Sequence, residues 1–208
     1  MARAEKTKKY TRIQQEKREV IFAAALDVFS EKGLRGATLD EIAKAAKLSK
    51  QNVIYYFAGK DEIYAQLLEG LLEVWVSPLR DLSADGEPLD EILSYVRRKL
   101  QMSKDMPRES RLFATEILHG APRTRESLRG GLKALVDEKV RIISGWIDDG
   151  KIAPVDPYHL IFSIWSMTQH YADFDIQIKE ILDHKKADSR FEDAEAYLTT
   201  VLTKTLQP

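Results

Sequence analysis

Two helix-start signals stand close together near the N-terminus and leave the chain few options. Thr38 followed by Glu41 makes a capping box, in which each side chain satisfies a backbone N–H that the first helical turn leaves free. Ser49 is a second cap. The spacing predicts a short helix from Thr38 through Ala46, a tight connection at Lys47-Leu48, and another short helix from Ser49 to about Phe57. Ahead of them a helix is expected from about Gln14 to Lys32. Its apolar stripe is Ile21, Ala25, Val28 and Phe29, and Gly33 is its stop. Three short helices with two tight connections describe a helix-turn-helix unit.

The third of these helices would bury Val53 and Phe57 against Phe29, Leu39 and Ile42. Its outer face then offers Lys50, Gln51, Asn52, Tyr55 and Tyr56. Gln and Asn can read an adenine edge bidentately, and Lys reaches guanine or phosphate. Tyrosine hydroxyls and Lys60 suit phosphate oxygens, which fix register. The formal net charge is −1, yet residues 1–60 carry 13 Lys+Arg against 7 Asp+Glu, while the remainder carries 19 against 26. A basic end on an acidic body points to an anionic partner for that end alone. Pattern by itself leaves open an amphipathic helix whose outside is merely polar.

The rest of the chain is also helical in period, with no persistent strand alternation. Helices are expected from Lys60 to about Val76 before Pro78, from Pro88 to about Lys104, and from Pro107 to Gly120. Others are expected from Arg125 to Asp149, from an Asp156 cap through about Leu182, and from a Ser189/Glu192 capping box to about Leu206. The expected fold is all-α with nine helices. It divides into a basic mobile arm at 1–13, a helix-turn-helix domain at 14–60 and a ligand-binding and dimerisation domain at 61–208. The 208 residues include no cysteine, which removes disulfides, thiolate catalysis and cysteine metal sites. The chain has no membrane-spanning apolar run and no secretory signal core at its N-terminus, so a cytoplasmic protein is the simplest reading. It carries no nucleophile elbow, zinc-protease signature or phosphate-cradling loop, and its four histidines are scattered. An enzyme, a metal site and a cofactor are therefore not expected.

One helix is unusual. In IFSIWSMTQHYADF, Ile161 to Phe174, Trp165 and Gln169 are spaced i, i+4 and share a face. An aromatic plane beside a primary amide suits a flat, hydrogen-bonding ligand. Spacing alone equally allows Trp165 in the core, with Gln169 and His170 bonded to backbone or to a second chain.

The segment TLDEIAKAAKLSKQNVIYYFAGKDEIY, Thr38 to Tyr64, closely resembles the DNA-binding signature of the TetR family of transcriptional regulators. The resemblance implies base and phosphate contacts at Thr38, Lys50, Gln51, Asn52, Tyr55, Tyr56 and Lys60. Two departures stand out. Lys47 replaces the usual turn glycine, so a left-handed lysine is expected there. Ile54 stands where many members carry tyrosine. The family resemblance further implies a homodimer on a near-palindromic double-stranded operator, with the last two helices of each chain pairing in a four-helix interface.

Four further stretches, WVSPL at Trp75–Leu79, LHGAP at Leu118–Pro122, LKALVDEK at Leu132–Lys139 and GKIAPVDPYHLIFSIWSMTQHYADF at Gly150–Phe174, are similar to the pyrimidine-utilisation repressor branch of that family. This implies an effector of the uracil or thymine type whose binding releases DNA. The implied pocket residues are Trp75, Trp165 and Gln169, with Tyr95, Phe113 and Phe174 nearby. Leu93 stands where that branch is expected to carry a polar residue, and the tail diverges after about Ile176. Three rival readings remain: the same fold sensing an acyl or aromatic compound, an architectural DNA-binding protein without a ligand, and a helical enzyme with a coincidental basic segment.

Overall fold

The computed structural model describes residues 11–208. Of the arm expected at 1–13, residues 1–10 lie outside the described residues. Thr11 is already an N-cap, and Arg12 and Ile13 sit in the first helical turn. The described chain divides into two compact units, the first ending at Leu67 and the second running Leu68–Pro208. The division thus falls inside a helix rather than after Lys60, because the residues just beyond Lys60, Ile63 and Tyr64, are buried in the first unit's core.

The first unit holds α1 (Arg12–Gly36), α2 (Leu39–Ala45), α3 (Lys50–Tyr56) and the start of α4 (Lys60–Arg80). Thr11 and Gln14 form a capping box that starts α1 two residues earlier than its apolar stripe suggests. Gly33 lies at φ 64, where a side chain would be strained, and α1 kinks there before a last turn. The Thr38–Glu41 box and the Ser49 cap both form. Lys47 adopts φ 56, the left-handed turn expected of it. Ile21, Ala25, Phe29, Ile42, Val53, Phe57 and Ile63 are all buried, so the three short helices share one core. Arg18 lays its guanidinium 4.3 Å from the Phe57 ring centroid and donates to the Tyr56 carbonyl and to Gln66, closing that core's edge.

In the second unit α4 does not end at Pro78 but runs two residues past it to Arg80. Proline removes the bond to the Val74 carbonyl, and the Ser77 hydroxyl donates to that oxygen at 2.9 Å instead. Then come α5 (Pro88–Asp105) and α6 (Pro107–Leu118), both opened by a proline. A continuous helix, α7, runs Arg125–Ser127 through a π-helical stretch, Leu128–Leu132, into Lys133–Asp148. Next stand α8 (Pro157–Asp173), α9 (Asp175–Ile181), α10 (His184–Asp188) and α11 (Arg190–Leu206). Asp156 caps α8 as expected.

Eleven helices therefore form among the described residues, not nine. One expected helix breaks at Phe174, whose backbone leaves the helical region (φ −114, ψ 25). The Ser189/Glu192 capping box also fails to form. The turn of α10 ends at Ser189, and its hydroxyl donates to Asp193 and to the Lys185 carbonyl instead. Helix α5 is the centre of this unit, packing on α8 and α11, while α6 and α7 also lie against α8.

Candidate nucleic-acid interface and ligand cavity

The short α3 presents Lys50, Gln51 and Asn52 at its exposed N-terminal turn, with Ile54 and Tyr55 exposed beyond them. Only Val53 points fully inward, because α3 rests on α2 through that one turn of the helix. Lys50 pairs with Asp40 at 2.8 Å, an exposed contact of little net strength. Tyr55 and Tyr56 meet edge to face at 5.0 Å. The Thr38 hydroxyl serves Glu41, accepting from its N–H and donating to its carboxylate. The same carboxylate meets Lys32 at 2.6 Å, which with Thr38 holds Glu41 down at about 2. Lys60, read from the sequence as a phosphate contact, has partners within the chain. Its ammonium donates to the carbonyls of Leu34, Arg35 and Ala37, closing the C-terminal end of α1.

In the second unit, α4, α5, α6 and α8 enclose a cavity of about 70 Å³ lined by Trp75, Tyr95, Lys99, Phe113, Trp165 and Gln169. Five of the six expected pocket residues therefore face one space. Phe174 does not. Five residues past Gln169 places it about 140° round the helix, where it is 53 % exposed and stacks on His170 at 4.8 Å. Leu93 is buried but does not line the cavity. An adjoining outer cleft of about 200 Å³ shares Leu72, Val76 and Leu132 with the cavity.

The cavity is apolar with a few aimed polar groups. Trp165 donates its indole N–H to the Tyr95 hydroxyl at 2.5 Å. Burial pushes the Tyr95 hydroxyl up, against the pull of that bond. Gln169 stands beside Asp173, whose carboxyl burial pushes up and the Ser110 hydroxyl (2.6 Å), Gln169 and Arg111 draw back. Two further donors line the cavity. The Trp75 indole N–H is buried with no hydrogen-bond partner. Lys99 is 1 % exposed, and its ammonium lies 4.4 Å from the Trp75 ring centroid. Burial holds Lys99 down at about 7, only partly opposed by Asp173. Sequence reasoning missed Lys99, although its i, i+4 spacing from Tyr95 was a usable signal.

A capped recognition helix on a basic three-helix unit, ahead of a helical body with a small lined cavity, defines a helix-turn-helix transcriptional regulator. Residues 21–67 match the family model for bacterial regulatory proteins of the tetR family, and residues 68–208 match the YcdC-like C-terminal region. The chain belongs to the TetR family. It is 45 % identical over 185 residues to the transcriptional regulator RutR of Escherichia coli K12, covering 89 % of this chain and 87 % of that one. Among solved structures it resembles the regulator SCO4942 of Streptomyces coelicolor, with TM-score 0.71, 24 % identity and coverage of 92 % and 99 % of the two chains. It also resembles the ketosteroid regulator KstR2 of Mycobacterium tuberculosis, with TM-score 0.70, 19 % identity and coverage of 96 % and 98 %. These two likenesses concern the fold. The family and these relatives are transcriptional regulators, not enzymes. Among the described residues no helix is long and apolar enough to cross a membrane.

Proposed function

We propose that the chain is a repressor that binds a near-palindromic operator as a homodimer and is released by a small planar effector of the uracil or thymine type. The observation that carries this reading is the gathering of Trp75, Trp165 and Gln169 around one small cavity that α4 helps to line. The 45 % identity to RutR over most of both chains supports the reading as a transcriptional regulator.

Base preference lies with Gln51 and Asn52, and Lys50, Tyr55 and Tyr56 hold phosphates. Thr38 and Lys60 act first through the helices they cap. For the dimer, Tyr158 and Phe162 stand one turn apart on α8 with large exposed areas, as does Tyr197 on α11. Two recognition helices in one dimer then demand half-sites about one helical turn apart.

The cavity's size gives the release step a physical form. A hydrocarbon-lined cavity of about 150 Å³ takes benzene, and this one is roughly half that. A six-membered ring enters only if Leu72, Val76 or Leu132 gives way, so the effector binds a widened state better than the closed one. That difference in affinity is what shifts DNA binding, typically by about 1–3 kcal/mol. Helix α4 carries both Lys60 and Trp75 and is the covalent route for the shift.

The test is selection of bound sequences from random duplexes, followed by sedimentation of the complex. Two chains on a two-fold symmetric site are expected. A site without symmetry, or one chain per duplex, would count against the dimer reading.

A further inference from the structure

We infer that Lys99 and the indole N–H of Trp75 select the effector, admitting a flat ring that turns a carbonyl or carboxylate oxygen towards them. The inference rests on the ligand reading of the cavity and names the chemistry that the cavity takes.

Trp165 and Tyr95 satisfy each other, and Gln169 lies beside Asp173. These groups are engaged before any ligand arrives. The Trp75 N–H is not: Trp75 is 8 % exposed, and among the described residues its indole N–H has no hydrogen-bond partner. Lys99 is 1 % exposed, and its ammonium meets the face of the Trp75 ring and the charge of Asp173 rather than a hydrogen-bonded acceptor. A buried donor left without an acceptor is costly, and a buried ammonium more so. Both donors stand in the wall of the same cavity, and they touch each other through the Trp75 ring. Nothing in the packing alone requires a lysine there, since a methionine would fill the space. A ligand oxygen placed between the two donors satisfies both at once. A ring without such an oxygen leaves them stranded and meets only the apolar walls.

The converse arrangement, a ligand that donates to this end of the cavity, would set donor against donor. Lys99 therefore fixes orientation as well as class: the oxygen-bearing edge faces α5, and the opposite edge faces Gln169.

Calorimetric and thermal-shift titrations with uracil, benzoate and benzene test this on the wild-type chain, on Lys99→Met and on Trp75→Phe, which keeps an aromatic ring and loses the N–H. An oxygen-bearing ring is expected to bind the wild type. Its affinity should fall roughly tenfold or more in Lys99→Met and by a smaller factor in Trp75→Phe. Benzene should bind Lys99→Met at least as well as the wild type. Uracil binding that is undiminished in Lys99→Met overturns the inference and leaves the pyrimidine reading standing. Lysine-dependent binding of benzoate without any binding of uracil does the reverse. Binding of benzene alone, or of none of the three, overturns the inference.

Discussion

Replacing Lys99 by methionine is expected to make the second unit more stable at neutral pH. Burial takes the ammonium from its ordinary 10.5 to about 7. At 1.36 kcal/mol per pH unit, the full displacement corresponds to about 5 kcal/mol, and about 4 kcal/mol of it is expressed at pH 7, where the folded group is half protonated. Attraction to the Trp75 ring offsets this by about 2 kcal/mol. Methionine fills a similar volume without either contribution, so the variant should gain about 2 kcal/mol, or roughly 4–8 °C in melting temperature for a chain of this size. The direction with pH follows from proton counts. Between pH 7 and 10.5 the unfolded chain holds a proton on residue 99 that the folded chain has lost, so wild-type stability rises with pH across that window. The advantage of the variant therefore shrinks towards zero between pH 7 and pH 10, as the burial cost and the attraction to the ring are lost with the charge. Below pH 7 both states are protonated and the gap is level. Tryptophan fluorescence suits the assay, because Trp75, Trp146 and Trp165 all lie in the second unit. A variant less stable than the wild type at pH 7, or a gap that does not change up to pH 10, would refute the reasoning.

Three further outcomes concern the reader. Lys47→Gly relieves a left-handed lysine and should stabilise the first unit by about 1 kcal/mol, read by urea denaturation; a loss of stability would show that the turn holds no strain. Gln51→Ala or Asn52→Ala should relax base preference by about 1–3 kcal/mol at the contacted position, whereas Lys60→Ala should weaken every duplex alike; equal loss of specificity in all three contradicts that split. Because its ammonium caps α1, Lys60→Ala should also cost the first unit about 1 kcal/mol, and an unchanged denaturation midpoint would remove the capping role.

The parts of this molecule that were legible in the sequence are those settled within one turn of chain. The caps at Thr38, Ser49 and Asp156 each need only a side chain and an N–H close by, and all three form where the residues stand. The left-handed Lys47 was legible only through the resemblance, which places a turn glycine at that position. Misreadings arose where a neighbour changed the outcome. Pro78 reads as a stop until Ser77 takes the carbonyl it strands. Ser189 reads as a cap until α10 ends on it. The cavity was partly legible, because Trp165 and Gln169 share a helix face while Trp75, Tyr95 and Phe113 reach it from three other helices. Lys99 was missed because a lone lysine reads as solvent-facing, and only the packing of α5 between α8 and α11 buries it. Phe174 was placed wrongly because the helix ends beneath it and turns its ring to solvent.

The central claim is that a small planar molecule loosens this chain from its operator. The direct measurement is the anisotropy of a labelled duplex, chosen from the selected sequences and titrated with protein at fixed salt, with and without uracil or thymine. The account predicts that saturating effector weakens binding about 5–150-fold, and that binding without it falls steeply as salt rises because lysine and arginine displace counterions. An affinity that neither pyrimidine changes, on a duplex the chain otherwise binds tightly, would contradict it.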